Sequence, residues 1–115
     1  MDSIAKITEQ ISQYRDERDW LQFKNPKELA AAIAIEAAEL QEIFLWKGHS
    51  SSEITATERR EDIGDEIADI AIYLFELADN LDFDLGQTII KKMSKNAKKY
   101  PVEKARGSDK KYNEL

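Results

Sequence analysis

The feature that most constrains this chain is a long helical pattern in which an apolar line and a polar line run side by side. The apolar line, with alternating spacings of four and three residues, is Ile63, Ile67, Ile70, Leu74, Leu77 and Leu81. The polar line keeps the same alternation and is Asp62, Glu66, Asp69, Tyr73 and Glu76. Residues three and four apart stack on one helix face, so the acids lie beside an apolar seam, and their mutual repulsion grows where they are desolvated. A bound cation would offset that repulsion.

The preceding helical pattern contains a second acidic pair on its apolar side. Its line with spacings of three and four residues is Leu29, Ala32, Glu36, Glu39, Ile43 and Trp46. An unpaired carboxylate in such a position is costly. If the two helices form an antiparallel hairpin, Glu36 and Glu39 face Glu66 and Asp69. Four carboxylates without nitrogen or sulfur ligands suit Mg²⁺ or Mn²⁺, with water and a substrate phosphate completing the coordination.

The chain as a whole predicts an all-α fold, a four-helix bundle that forms one domain over residues 1–115. Only 4 glycines and 2 prolines occur, which is too few for a fold of many short strands. Apolar periods and helix-end signals place the helices at about residues 3–18, 26–47, 55–81 and 85–99. Residues 101–115 are predicted to be an extended or partly ordered tail.

Residues that cap or break helices set these predicted bounds in the first half of the chain. Asn25 precedes Pro26, which is a strong signal for the start of the second helix. Gly48 is predicted to end that helix as a C-terminal cap. Residues 49–52 are expected to form a polar loop.

Similar signals bound the last two predicted helices. The segment Thr55-Ala-Thr-Glu58 has the spacing of a capping box and is predicted to open the third helix. Asp84 is predicted to cap the fourth helix, which ends at Tyr100 because Pro101 follows it.

Composition excludes several classes of site and partner. The chain has no cysteine, and its single histidine, His49, cannot supply the two Glu-x-x-His pairs of a di-iron bundle. Residues 1–85 carry 20 acids and 8 bases, whereas a nucleic-acid binder presents net positive charge. The sequence contains no apolar run of membrane-spanning length and no secretory signal, so no membrane partner and a cytoplasmic location are expected.

The two acidic pairs resemble the motifs of the MazG-like all-α nucleoside triphosphate pyrophosphohydrolases. These motifs are Glu36-Ala-Ala-Glu39 and Glu66-Ile-Ala-Asp69. Further segments resemble the dCTP pyrophosphatase branch of that family, and they are Arg18-Asp19-Trp20-Leu21-Gln22-Phe23, Leu45-Trp46-Lys47, Ile72-Tyr73-Leu74, Lys92-Met93, Lys99-Tyr100-Pro101-Val102, Arg106-Gly107-Ser108 and Lys111-Tyr112. The resemblance covers about residues 14–115. After Gln-Phe, where the branch usually carries histidine, this chain has Lys24.

This resemblance implies Mg²⁺-dependent hydrolysis of a nucleoside triphosphate to the monophosphate and pyrophosphate. It implies that the metal ligands are Glu36, Glu39, Glu66 and Asp69. It also implies that the base and sugar pocket is built by Trp20, Gln22, Phe23, Trp46 and Tyr73, with Lys24 beside them. Proteins of the family form dimers that pair into tetramers, so self-association is expected.

Residue chemistry adds roles for other side chains. One carboxylate that the metal does not fully engage would accept a proton from water, and Glu39 is preferred for this role over Glu36. The cationic and polar residues that are candidates to bind the outer phosphates are Lys92, Lys95, Asn96, Lys99 and Arg106.

The aromatic residues favour dCTP or a modified dCTP over purine nucleotides, because they would form a tight stacking slot for a small ring. A dUTP-preferring or broad-specificity hydrolase is the enzymatic alternative. A helical oligomerisation or adaptor module is the non-enzymatic alternative.

Overall fold

The computed structural model describes residues 2–115. Two of its helices begin with the short polar side chains that the sequence predicted as N-terminal caps. Asn25 accepts a hydrogen bond from the Glu28 amide at 2.9 Å, and Asp84 accepts one from the Gln87 amide at 3.0 Å. The α-helices of the described residues are α1 Ser3–Glu17, α2 Pro26–Ile43, α3 His49–Glu58, α4 Arg60–Asn80, α5 Leu85–Lys99 and α6 Val102–Ala105.

These elements confirm the all-α prediction and add helices to it. Two 3₁₀ helices, Leu21–Phe23 and Tyr112–Glu114, accompany the six α-helices of the described chain. The predicted tail therefore contains α6 and a 3₁₀ helix. Among the described residues, no helix combines the length and the apolar character that a membrane span requires.

Helix α2 is shorter than its apolar period predicts, because it ends at Ile43 rather than near Lys47. A hydrogen bond of 3.1 Å from the Lys47 amide to the Phe44 carbonyl continues the chain as a turn. Trp46 lies in this turn with a φ of 65°, in the left-handed region. Gly48 is the N-cap residue of α3, so its predicted role as the C-terminal cap of α2 was wrong.

Helix α3 occupies a segment that was predicted to be a polar loop followed by a capping box. Residues 49–52 form its first turns, and Thr55 is buried within it. The long helix α4 begins instead at Arg60, after a break at Arg59. Serine and threonine have only a modest helix propensity, so local sequence rules did not predict a helix over residues 49–52. The helix that forms there contacts α4, and tertiary contacts of this kind commonly override propensity.

The described chain divides into two compact units, of which the first ends at Phe83 and the second is Asp84–Leu115. In the first unit, α4 packs most extensively on α2 and also contacts α1 and α3. The buried apolar residues here are Leu29, Ile43 and Ala78. Helix α4, which carries the polar line, is therefore the central element of this unit.

The second unit contains α5, α6 and the last 3₁₀ helix. The rings of Tyr100 and Tyr112 meet edge to face with their centres 6.3 Å apart. The Lys99 ammonium group lies 4.9 Å from the centre of the Tyr112 ring. These contacts hold the end of α5 against the C-terminal residues.

Candidate active site

Helices α2 and α4 bring three of the predicted carboxylates together. One oxygen each from Glu36, Glu39 and Glu66 lies within 4.8 Å of the others. Glu39 is exposed, whereas Glu36 and Glu66 are half-buried. The Oε2 atoms of Glu36 and Glu66 are buried and have no hydrogen-bond partner among the described residues. Buried polar atoms in native proteins are nearly always paired, so these two oxygens indicate a place for a ligand.

The crowding of these carboxylates disfavours their ionised forms. Contact with the Glu66 carboxylate raises the pKa of Glu36, and burial and the charges of Glu66 and Asp69 add to the effect. The neighbouring Glu39 carboxyl group acts in the opposite direction and lowers the pKa of Glu36. Contact with Glu36 likewise raises the pKa of Glu39. A bound divalent cation would instead lower the pKa of both carboxyl groups, because it stabilises their deprotonated forms.

The donor set suits a hard divalent cation, because it consists of carboxylate oxygens that lie close together. Two of these side chains, Glu36 and Glu66, each have a buried oxygen without a hydrogen-bond partner in the described part of the chain. Asp69 lies outside the group of three, on the same face of α4 as Glu66. It is close enough for its charge to raise the pKa of Glu36. The structure therefore assembles three of the four predicted ligands, and the metal-binding roles of all four stay a prediction.

A pocket of about 380 Å³ lies beside Asp69 in the first unit, and we call it the aromatic pocket. Its lining residues are Gln10, Ile11, Tyr14, Trp20, Lys24, Asp69, Ile72, Tyr73 and Glu76. Burial and the charge of Glu36 raise the pKa of Tyr73, so this ring lies within the field of the carboxylate cluster. The pocket thus brings together Trp20, Lys24 and Tyr73, three residues that were predicted to bind substrate.

Lys24 lies among the aromatic rings of this pocket. Its Nζ atom is 4.9 Å from the centre of the Tyr73 ring and 5.7 Å from that of Trp20. The same atom lies 3.8 Å from Oε2 of Glu76. The Asn80 side chain donates a hydrogen bond of 3.1 Å to the Lys24 carbonyl, which holds this residue against α4.

Glu76 was not selected as a site residue from the sequence, although it is only 5% exposed and lines the aromatic pocket. Burial raises the pKa of Glu76, and the charges of Lys24 and Arg15 partly offset the shift. The sequence signal that could have identified Glu76 as a site residue is its place in the polar line, three positions after Tyr73.

An acidic cleft of about 520 Å³ includes two members of the carboxylate cluster. Its lining residues are Glu39, Glu42, Ile43, Arg59, Asp62, Asp65 and Glu66. Arg59 forms an ion pair with Asp62 at 3.0 Å. The cleft gives the exposed carboxylate of Glu39 access to solvent, as a proton acceptor for water requires.

Three other predicted pocket residues lie at the surface. The Gln22 side chain donates a hydrogen bond of 3.0 Å to the Asp19 carbonyl. Phe23 is 62% exposed, and Trp46 is 93% exposed. Their roles in substrate binding stay predictions.

The predicted phosphate-binding residues all belong to the second unit. Four of them lie exposed on α5, and these are Lys92, Lys95, Asn96 and Lys99. Arg106 follows α6 directly and is also exposed. Their role in phosphate binding also stays a prediction.

Comparison with known proteins identifies the family of this chain. A model of the MazG-like family matches residues 31–115, which include both acidic pairs. The chain is 39% identical over 115 residues to dCTP pyrophosphatase 1 from Mus musculus, covering 98% of this chain and 68% of that protein. It is 37% identical to dCTP pyrophosphatase 1 from Homo sapiens, with the same coverage.

A solved structure of a pyrophosphatase is also similar to this chain. The crystal structure of a pyrophosphatase from Archaeoglobus fulgidus superimposes with a TM-score of 0.82 and 37% identity. The match covers 88% of this chain and 94% of that chain. The chain therefore belongs to the MazG-like family and is a nucleoside triphosphate pyrophosphohydrolase.

Proposed function

We propose that this enzyme hydrolyses dCTP, or a dCTP modified on its base, to the nucleoside monophosphate and pyrophosphate with Mg²⁺ as its metal. The observation that carries the proposal is the pair of buried, unpartnered Oε2 atoms of Glu36 and Glu66 next to an aromatic pocket. Oxygen donors of this kind bind hard cations, and aromatic walls bind a nucleobase. The relatives named dCTP pyrophosphatase support the choice of base.

The proposed metal ligands are Glu36, Glu39, Glu66 and Asp69. When bound there, Mg²⁺ would neutralise charge on the phosphate oxygens, and Mn²⁺ has similar ligand preferences. Glu39 is the proposed general base because it is the exposed member of the cluster and opens into the acidic cleft.

Other residues hold the substrate in this proposal. Trp20 and Tyr73 line the pocket for the base. The roles assigned to Gln22, Phe23 and Trp46 rest on the family resemblance. The outer phosphates are assigned, from residue chemistry alone, to the cationic and polar side chains of Lys92, Lys95, Asn96, Lys99 and Arg106.

A pyrophosphate-release assay tests the proposal. With Mg²⁺ present, kcat/KM is measured for dCTP, 5-methyl-dCTP, dUTP, dATP and dGTP. We expect dCTP or its methylated form to rank first. Purine nucleotides that are hydrolysed as efficiently as dCTP would contradict the base preference, and a first rank for dUTP would favour the alternative hydrolase.

Two variants of α4 test the metal site in the same assay. Glu66→Gln keeps the size of the side chain but removes its charge, and we expect it to abolish turnover while the far-ultraviolet dichroism stays unchanged. Glu61→Gln makes the same substitution at an exposed residue of the same helix and should retain full activity. Full activity of Glu66→Gln, or of the unmodified enzyme in excess chelator, would contradict the proposed metal site.

A further inference from the structure

Glu76 is a buried acid of the aromatic pocket that the proposed reaction does not use. It is 5% exposed, and its Oε2 atom has no hydrogen-bond partner within residues 2–115. The Lys24 Nζ atom lies 3.8 Å away, which is close enough for an ion pair but beyond hydrogen-bond distance. Leaving a buried carboxylate oxygen without a hydrogen bond is costly. This oxygen is therefore available to a hydrogen-bond donor on a molecule that occupies the pocket.

Lys24 provides the complementary group beside this carboxylate. Its ammonium group carries three donors and no acceptor. The side chain is only 18% exposed, and Nζ lies 4.9 Å from the centre of the Tyr73 ring. The pocket thus presents a fixed acceptor and a fixed donor next to each other, within reach of an aromatic surface.

The position of Glu76 on α4 suits contact with a base. Asp69, Tyr73 and Glu76 share one face of the helix and all line the pocket. Glu76 follows Asp69 by seven residues, or about 10 Å along the helix axis. A nucleotide with its phosphates at the carboxylate cluster would extend its base towards Glu76.

We propose that Glu76 and Lys24 together read the hydrogen-bonding edge of the substrate base and so determine its specificity. Glu76 accepts a hydrogen bond from an exocyclic amino group, and Lys24 donates one to the adjacent ring nitrogen or carbonyl oxygen. Cytosine presents this combination through its N4 amino group and N3. Uracil and thymine carry a carbonyl oxygen in place of the amino group, which would face the Glu76 carboxylate without a proton between them.

This inference rests on the proposed function and adds to it the groups that select the base. Its first test uses the unmodified enzyme and two nucleotides. One is dCTP, and the other is the triphosphate of pyrimidin-2-one deoxyriboside, which lacks only the amino group. We expect kcat/KM to be lower by at least about tenfold for the second nucleotide, because a site built to pair with an N–H group rejects an analogue that lacks it. Equal values would overturn the inference.

The second test compares Glu76→Gln with the matched control Glu61→Gln. A carboxamide can donate to the uracil carbonyl as well as accept from the cytosine amino group. We expect the ratio of kcat/KM for dCTP to that for dUTP to fall by about tenfold in Glu76→Gln and to stay unchanged in Glu61→Gln. An unchanged ratio in Glu76→Gln would assign Glu76 a structural role only and overturn the inference.

A double variant keeps the test decisive if single changes impair folding. Lys24→Met combined with Glu76→Leu replaces the buried charges with apolar groups of similar volume, an exchange that is often neutral for stability. We expect this variant to hydrolyse dCTP and dUTP with nearly equal kcat/KM. A retained preference for dCTP would contradict the assignment.

Failure of the proposed function is distinguishable from failure of this inference. If the unmodified enzyme releases no pyrophosphate from any nucleotide, the proposed function fails. In that case, calorimetry measures the affinity of the protein for dCMP and for pyrimidin-2-one deoxyriboside monophosphate. This measurement tests base recognition by Glu76 and Lys24 without the hydrolysis reaction. Tighter binding of dCMP that is lost in the double variant supports the inference, and equal binding overturns it.

Discussion

The Asn80 carboxamide donates a hydrogen bond of 3.1 Å to the backbone carbonyl of Lys24 and thereby joins the α1–α2 connection to the end of α4. The connection also carries Trp20, whereas α4 carries Tyr73 and Glu76. Together with the contacts of Lys24 to Glu76 and Tyr73, this hydrogen bond holds the two sides of the aromatic pocket in register. It is partly buried, so water replaces it poorly.

We expect Asn80→Ala to lower the free energy of unfolding by about 1 kcal/mol, the usual net contribution of one hydrogen bond. The variant should also discriminate less between dCTP and dUTP, because Lys24 loses its anchor. Urea denaturation and kcat/KM for the two nucleotides measure both effects. Gln41→Ala, at an exposed position of α2, is the control and should change neither quantity. Unchanged discrimination in Asn80→Ala would contradict the anchoring role.

Metal binding should stabilise the folded protein. We expect Mg²⁺ to relieve the repulsion among Glu36, Glu39 and Glu66 and to bind the folded state in preference to the unfolded one. A ligand that binds only the folded state stabilises it by about 2.7 kcal/mol at a hundredfold excess over Kd. A thermal melt with and without Mg²⁺ measures the rise in Tm. Glu36→Gln should lose most of this rise, whereas Glu61→Gln should keep it. The same rise in all three proteins would show that the cation acts elsewhere.

The stability of the protein should depend on pH through Glu76. Burial raises the pKa of this carboxyl in the folded state, so the folded protein holds the proton more tightly than the unfolded chain does. Between the ordinary and the raised pKa, the contribution of Glu76 to stability therefore falls as pH rises. Glu76→Gln should gain stability relative to the unmodified protein across this interval, as urea denaturation at successive pH values will measure. A difference that does not vary with pH would contradict the shift.

We expect the protein to self-associate, because apolar side chains remain exposed on helices of the first unit. Ile35 on α2 is 59% exposed, and Ile67 on α4 is 55% exposed. Exposed apolar surface of this kind marks contact sites between subunits. Light scattering at tens of micromolar should give the mass of a dimer or tetramer, and Ile67→Glu should shift it towards the monomer. A monomeric mass for the unmodified protein would refute the expectation.

The sequence predicted those features of the site that depend on spacing within one helix. Glu36 and Glu39 are three positions apart, as are Glu66 and Asp69, and helical geometry alone places each pair on one face. The structure brings three of these carboxylates together. Local signals also identified Asn25 and Asp84 as helix caps, because a cap depends on the amide three residues away.

Local rules were less reliable where packing competes with propensity. Thr55 has the spacing of a capping residue, yet it is buried inside α3. Glycine is common just after the C-terminus of a helix, yet Gly48 is the N-cap residue of α3. Helix α3 contacts α4, and a short sequence window contains no information about that contact.

The sequence by itself therefore determined the all-α fold and the two acidic pairs, because these follow from a helical repeat of 3.6 residues. The apolar line predicted on α4 is only partly covered, since Ile67 is 55%, Leu74 43% and Leu81 46% exposed. Only the tertiary structure decided what Lys24 contacts. From the sequence, this lysine was open to either the base or the phosphates, and nothing linked it to Glu76. Packing of the α1–α2 connection against α4 places the two charges 3.8 Å apart in one pocket. Such a contact between residues far apart in sequence depends on how helices pack and not on any local pattern.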